Sequence, residues 1–216
     1  DRCRRDRMRS RAGGFVMSDN KKKTARRAND DYQTPIGVVS PLLALIDWPR
    51  VRSFCEPARG DGVIYKAAAE RMEPHGFGRL EWHEIRDGRD YLTAEHIPVD
   101  LLITNPPFSH AIEFVNKSLE EAATVCYLLP LGFLSSRERR DWWRSNPPTH
   151  VITVSERPCF VWVCRDRHCK GSCAPGVEAC PACGGRTKRQ TDFSDVAWYV
   201  WDRGRLLTTR APFVWI

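Results

Sequence analysis

Four consecutive residues, Asn105-Pro106-Pro107-Phe108, are the part of this chain whose types and order could do chemistry. They follow Asp100-Leu101-Leu102-Ile103-Thr104, a short apolar run that reads as a buried parallel strand. A turn of that composition at a strand's carboxyl end presents a side-chain amide, a backbone carbonyl and a ring face. Those groups suit a planar exocyclic amine, with two acceptors for its N–H bonds and a surface on which to stack. The carboxyl ends of strands are also where open α/β sheets bind ligands. The competing reading is a proline-stiffened turn that binds nothing, because proline pairs punctuate loops.

Upstream, Glu56-Pro57-Ala58-Arg59-Gly60-Asp61-Gly62 falls between an expected strand and its helix. Two glycines let the backbone turn tightly and approach a ligand, and an acidic strand end accepts hydrogen bonds from a cationic or hydroxyl-rich cofactor. It is not the dinucleotide fingerprint, since Tyr65 stands where a third glycine is required, and it lacks the Gly-Lys-Ser/Thr of a P-loop. Glu84 closes the next strand, where a carboxylate can take both hydroxyls of a ribose. Asp90-Tyr91-Leu92 comes next and is placed to line an adenine pocket.

Five of the nine cysteines, Cys164, Cys169, Cys173, Cys180 and Cys183, crowd into twenty residues. Cys180-Pro-x-Cys183-Gly sets two thiolates on a tight turn whose N–H groups can support the sulfurs, as in zinc ribbons. Clustering of this kind without a signal peptide favours a structural zinc over a disulfide framework. Cys164, Cys169, Cys180 and Cys183 are the preferred ligands, with Cys173 or His168 as substitutes for one of them. Reduced thiols in a surface loop are the alternative. Segment 164–190 carries six Lys/Arg against two acids, a charge that suits phosphate contact or plain solvation.

Alternating elements must hold these groups. The pattern predicts a helix over 35–45 with Pro41 as a break or first-turn residue, and a strand over 52–56. A helix over 62–72, a strand over 80–85 and the strand ending at Thr104 come next. A helix over 112–123 precedes a strand over 124–129. Ser135 is expected to cap a helix through 145, with Glu138 completing a capping box. Strands over 151–154 and 196–202 close the list of elements. Strands and helices in alternation argue for an open, mostly parallel α/β sheet with helices on both faces.

The chain has 216 residues and a net charge of +7, and 42% of it is hydrophobic, enough for one core. Residues 1–30 hold eleven Lys/Arg and four Asp, while the rest balances at 23 of each sign. The excess therefore sits in a basic tail over 1–30, expected to be disordered, and says little about nucleic acid. Met17 reads as the natural start. No secretory leader and no run of roughly 18 apolar residues is seen, so neither secretion nor a membrane partner is expected.

Taken in order, Asp31-Tyr32-Gln33-Thr34-Pro35, Glu56-Pro57-x-x-Gly60-x-Gly62, Glu84, Asp90 and Asn105-Pro106-Pro107-Phe108 resemble the S-adenosylmethionine-dependent DNA adenine-N6 methyltransferases. The likeness is nearest to the small phage-type, Dam-like enzymes. It continues through Leu129-Pro130-Leu131-Gly132-Phe133-Leu134 and Arg157-Pro158-Cys159-Phe160, covering about residues 31–163 and 192–203. The resemblance implies a Rossmann-like methyltransferase domain over 31–216 with an antiparallel last strand, interrupted by the zinc-binding insertion over 164–190. It implies that Tyr32, Gln33, Thr34 and Pro35 hold the methionine end of S-adenosylmethionine. Glu56, Pro57, Gly60 and Gly62 would surround its amino-acid portion, with Glu84 on the ribose and Asp90 on the adenine amine. Asn105 and the Pro106 carbonyl would take the target amine, Pro107 would stiffen the turn, and Phe108 would stack on a base flipped out of double-stranded DNA. Arg157 to Phe160 would shape the base pocket.

The rival readings are amino methylation of RNA or of protein glutamine, and a non-catalytic zinc-ribbon DNA-binding module. Phe108 in place of Tyr and the lack of a substrate domain favour DNA among the enzymatic readings. The expected setting is the cytoplasm of a bacterial or phage-infected cell. No nuclease element is identifiable, so a restriction–modification partner stays open, as do the target sequence and the oligomeric state.

Overall fold

A computed structural model describes residues 34–216 apart from 77, 156, 157, 159, 160, 166–168, 170, 171, 174–177 and 191–194. The expectations for the tail 1–30 and for Tyr32, Gln33, Arg157, Cys159, Phe160 and His168 lie outside the described residues. The first half of the chain runs α1 (Ile36–Leu43), β1 (Ser53–Glu56), α2 (Val63–Met72), β2 (Arg79–Trp82), β3 (Val99–Thr104), α3 (Ala111–Glu121) and β4 (Ala122–Pro130). The second half runs α4 (Arg140–Ser145), β5 (His150–Thr153), β6 (Val161–Cys164), β7 (Ser172–Cys173), β8 (Thr187–Gln190), β9 (Val196–Asp202) and β10 (Phe213–Trp215).

Seven strands form a mixed, mostly parallel sheet in the order β10-β5-β9-β4-β3-β1-β2. β9 runs antiparallel to both its neighbours, β4 and β5, and every other pairing in the sheet is parallel. Its apolar strands are covered on two faces, which is why they read as continuous hydrophobic runs rather than alternating ones. Leu101 and Ile103 of β3, Cys126 and Leu128 of β4, and Trp198 and Val200 of β9 pack with α1 and α2. Leu102, Val125, Tyr127, Leu129, Tyr199 and Trp201 from the same strands pack with α3 and the tryptophans of α4. The period of two along each strand thus divides one apolar run between two cores. This is the arrangement expected of a Rossmann-like methyltransferase fold.

Buried polar groups tie the layers together. Trp198 is fully buried and its indole N–H donates to the Val38 carbonyl at 3.0 Å, fixing α1 on the sheet. Asp100 Oδ2 accepts the amides of Arg52 and Ser53 at 2.8 and 2.9 Å, locking β1 to β3 at their amino ends. Asp202 accepts the Thr124 hydroxyl at 2.8 Å and the amides of Leu206 and Leu207 at 2.7 and 3.1 Å.

Four elements differ from the sequence expectation. Pro41 stands inside α1, neither ending nor beginning it. β2 stops at Trp82, and Glu84 instead N-caps a 3-10 turn over Ile85–Asp87. The helix expected from Ser135 begins only at Arg140, so the capping box with Glu138 does not form. Ser135 uses its amide and hydroxyl on the Gly132 carbonyl, and Arg139 reaches back to the Phe133 carbonyl, so local turn bonds take the groups a helix would need. β10 was not anticipated. Among the described residues, no helix is long and apolar enough to cross a membrane.

Replacing Asp202 by Ala should leave a buried hydroxyl and two amides without an acceptor. The expected cost is about 3 kcal/mol or more, read from the urea midpoint. An unchanged midpoint would contradict the anchoring role given to this carboxylate.

Candidate active site and cysteine cluster

The chain leaves β1 toward β2 on one side of the sheet, then returns to build β3 and β4 on the other. The carboxyl ends of β1 and β3 therefore flank a topological switch point, where open α/β sheets bind ligands. Glu56 ends β1 and Asn105 follows β3, so the two elements singled out by their chemistry face the same crevice.

The loop after β1 turns through two left-handed glycines, Gly60 at φ 52° and Gly62 at φ 78°. A side chain at either would be strained, which accounts for the Gly-x-Gly spacing. Gly62 N-caps α2, and Glu56 Oε2 accepts the Tyr65 amide in that helix's first turn at 2.7 Å. A carboxylate suits a helix N-terminus, yet Glu56 is 1% exposed. Burial outweighs the Tyr65 and Arg59 contributions and pushes its carboxyl well above the usual range.

Glu84 behaves differently. Burial alone would raise it, but the Arg86 guanidinium, the Arg86 amide and the Gly60 amide together hold it below the usual range. Its Oε1 accepts Arg86 N and Nε at 3.1 and 3.0 Å, and its Oε2 accepts the Gly60 amide at 2.8 Å. A carboxylate offers about four lone-pair sites. Taking two further hydroxyls requires the Arg86 side chain to swing aside.

Beside Glu84, two guanidiniums lie over the Trp82 ring, Arg59 at 3.7 Å and Arg89 at 4.1 Å from its centre. Arg59 also pairs with Asp87 at 3.0 Å. Cation–π contacts of this kind stiffen the rim of the glycine loop.

Asp90 Oδ1 accepts the Leu92 amide at 3.0 Å and shapes its own turn. Tyr91 does not line a pocket, being 2% exposed. Its hydroxyl meets Glu121 Oε2 at 2.6 Å and Ser118 Oγ at 2.9 Å. Lys117 donates to the Ala94 carbonyl at 2.6 Å and stands 3.2 Å from Glu121 Oε1. Two α3 side chains thereby clamp the loop that carries Asp90, a role the sequence reading missed.

Asn105 is held at one end only. Its Nδ2 donates to Thr34 Oγ1 at 3.1 Å, which brings the segment before α1 against the end of β3. Its Oδ1 is buried and, among the described residues, has no hydrogen-bond partner. No hydrogen bond among the described residues reaches the Pro106 carbonyl, whereas the Pro107 carbonyl accepts the His110 amide at 3.0 Å. Phe108 is half-buried against the α3-side core. Pro35 begins the approach to α1, its carbonyl accepting the Val38 amide at 3.0 Å. Pro57 is a buried residue of the glycine loop.

The cysteines belong to a second sheet of three strands, β7-β6-β8, all antiparallel. The Sγ atoms of Cys169, Cys180 and Cys183 lie within 4.8 Å of one another, with Cys169 and Cys180 3.7 Å apart. A disulfide would need about 2.05 Å. A tetrahedron of sulfurs around a metal at roughly 2.3 Å has edges of about 3.8 Å, which the observed spacing fits. The Ala182 N–H, against the opposing effect of burial and aided by the Cys183 N–H and the neighbouring thiols, brings the Cys180 thiol down to about 6. The Gly185 amide donates to Cys183 Sγ at 3.4 Å. Cys164 pairs in register with Thr187, and Arg165 N–H continues that ladder to the Arg186 carbonyl, while Arg186 bridges Ala179 beside the knuckle. Cys173 pairs with Trp162, two positions further from the knuckle along β6.

No family model and no curated protein matches the sequence. Three solved structures are similar in fold at low identity. A proposed RNA methyltransferase from Pyrococcus horikoshii is 17% identical with a TM-score of 0.44, over 78% of this chain and 85% of that one. The modification subunit of a proposed type I restriction enzyme from Vibrio vulnificus is 14% identical with a TM-score of 0.49, over 84% of this chain and 45% of that one. The methyltransferase subunit of a type I restriction-modification system from Streptococcus thermophilus is 11% identical with a TM-score of 0.42, over 86% of this chain and 47% of that one. This chain thus spans less than half the length of either restriction subunit. The fold description stands on the strand order above rather than on these likenesses.

Above the ordinary carboxylate pKa, Glu56 is ionised when unfolded but still protonated when folded, because burial raises it. The folded state then holds the extra proton, and stability falls as pH rises through that window. Glu56→Gln keeps an acceptor for the Tyr65 amide and lacks this titration. It should gain stability over the wild type as pH goes from about 4 to about 7. A difference that stays flat across that range would contradict the raised carboxyl.

Proposed function

We propose that this chain is a DNA adenine-N6 methyltransferase that uses S-adenosylmethionine. The observation that carries the reading is that, among the described residues, neither the buried Asn105 Oδ1 nor the Pro106 carbonyl beside it has a donor. An exocyclic amine offers two N–H donors to two such acceptors. The amine of adenine is a poor nucleophile because its lone pair is delocalised into the ring. Accepting both N–H bonds draws the nitrogen toward a tetrahedral geometry and returns that pair to it. Preorganised acceptors of this kind act by positioning and by stabilising the positive charge that grows on nitrogen.

The donor set of the crevice suits the cofactor. S-adenosylmethionine supplies, when bound, a methyl group on a sulfonium centre. Burial raises the Glu56 carboxyl despite Arg59, and a positively charged ligand nearby would favour its charged form. The glycine loop bares its backbone, Glu84 is the ribose acceptor once Arg86 moves, and Asp90 is the partner of the cofactor's adenine amine. Tyr32, Gln33, the Thr34 backbone and Pro35 complete the methionine end, with Pro57 and Gly60 to Gly62 around the amino acid. Phe108 stacks on a target base that leaves the duplex at a cost of a few kcal/mol. Cys55 and Cys126 are buried in the core and burial pushes both thiols up, so neither serves as a nucleophile. Phe108 at the fourth position favours DNA over RNA or protein glutamine.

The second sheet is read as a structural zinc site over an insertion at 164–190. Cys169, Cys180 and Cys183 are three ligands, and the strand register favours Cys164 over Cys173 as the fourth. Thiolates supported by backbone N–H groups are what zinc requires.

Incubation with methyl-labelled S-adenosylmethionine and duplex DNA, RNA or protein should yield N6-methyladenine in DNA only. Asn105→Ala should lower kcat by about a hundredfold or more. Label confined to RNA or glutamine would overturn the choice of substrate, and no label in any of the three would favour a binding module. About one zinc per chain should co-purify, and Cys180→Ser should lose it. Full zinc content in that variant would refute the ligand set.

A further inference from the structure

An asparagine amide has two ends of the same shape and opposite character. Turned one way it offers an acceptor to an incoming amine; turned the other it offers N–H donors to a group that is itself a donor. A partner on one end holds the amide in place and, where that end is the N–H end, leaves the carbonyl end for the crevice. Here that partner is Thr34, whose Oγ1 takes the Asn105 Nδ2 bond at 3.1 Å across 71 positions of sequence. With Nδ2 occupied, Oδ1 is left buried and without a partner among the described residues.

We infer that Thr34 is a positioning residue: by accepting the amide N–H it keeps the Asn105 carbonyl end turned toward the substrate amine. The inference rests on the adenine-amine reading of the site. It also gives Thr34 a task other than holding the methionine end of the cofactor. The residue is well supported for that task. Pro35 follows it at φ −66° and ψ 136°, and a residue before proline is confined to extended backbone. The Pro35 carbonyl takes the Val38 amide at 3.0 Å, and the Val38 carbonyl takes the buried Trp198 indole at 3.0 Å. A run of fixed bonds thus leads from the sheet's centre, through α1, to the hydroxyl that aims the amide.

The consequence is a split between rate and cofactor affinity. Thr34→Val keeps the shape but removes the acceptor, freeing the amide to turn its donors outward. With saturating DNA and cofactor, kcat should fall on the order of a hundredfold, while the cofactor Kd measured calorimetrically without DNA stays within about threefold. Thr34→Ser, which restores the hydroxyl, should recover most of the rate. The thermal midpoints of both variants, measured alongside, should match the wild type. Wild-type kcat in Thr34→Val, or a rate loss mirrored by an equal loss of cofactor affinity, would overturn the positioning role. Absence of transfer by the wild type itself would overturn the reading of the site, and this inference with it.

Discussion

A side-chain carbonyl kept from water without a donor costs about 1–3 kcal/mol, and among the described residues Asn105 Oδ1 has none. Folds rarely leave such a group unless something else is meant to meet it. The surrounding structure holds the oxygen where it is. β3 delivers Asn105 to the switch point of the sheet, two prolines stiffen the chain beyond it, and Thr34 occupies the other end of the amide. Across the crevice, Glu56 is a buried carboxyl held well above the usual range by burial, which outweighs the Tyr65 and Arg59 contributions. An amine would supply a donor to the first group, and a cationic cofactor would favour the charged form of the second.

Much of this was legible in the sequence because it depends on residues with few conformational choices. Gly60 and Gly62 take left-handed backbone that other residues avoid, so their spacing announced the loop. β3 and β4 were readable as continuous apolar runs because two layers of helices cover them. Other features depend on partners far apart in sequence. The pairing of Asn105 with Thr34, the clamp of Tyr91 by Glu121, and the stacking of Arg59 and Arg89 on Trp82 leave no local pattern. Ser135 misled for the opposite reason. Its local signal for a helix was sound, but the Gly132 carbonyl lay nearer and took its bonds.

The cysteine sheet follows the same division. The knuckle at 180–183 was evident from spacing, because thiolates on a tight turn need the small residues beside them. Which further cysteine lies near it depends on strand register, which pairs Cys164 with Thr187 and Cys173 with Trp162. The spacing of 3.7 Å between Cys169 and Cys180 is that of a thiol–thiol hydrogen bond, too long for a disulfide and compatible with sulfurs around a shared ion. A small antiparallel sheet of three strands, two of them of four residues and one of two, gains most from such a staple.

The central claim is that Asn105 Oδ1 awaits an amine. A crystal structure with a bound adenine nucleotide and the demethylated cofactor tests it most directly. The account predicts the adenine N6 at about 2.9 Å from both Asn105 Oδ1 and the Pro106 carbonyl, with Asn105 Nδ2 still on Thr34. An N6 bound away from those two oxygens, or an amide turned so that Nδ2 faces the base, would contradict it.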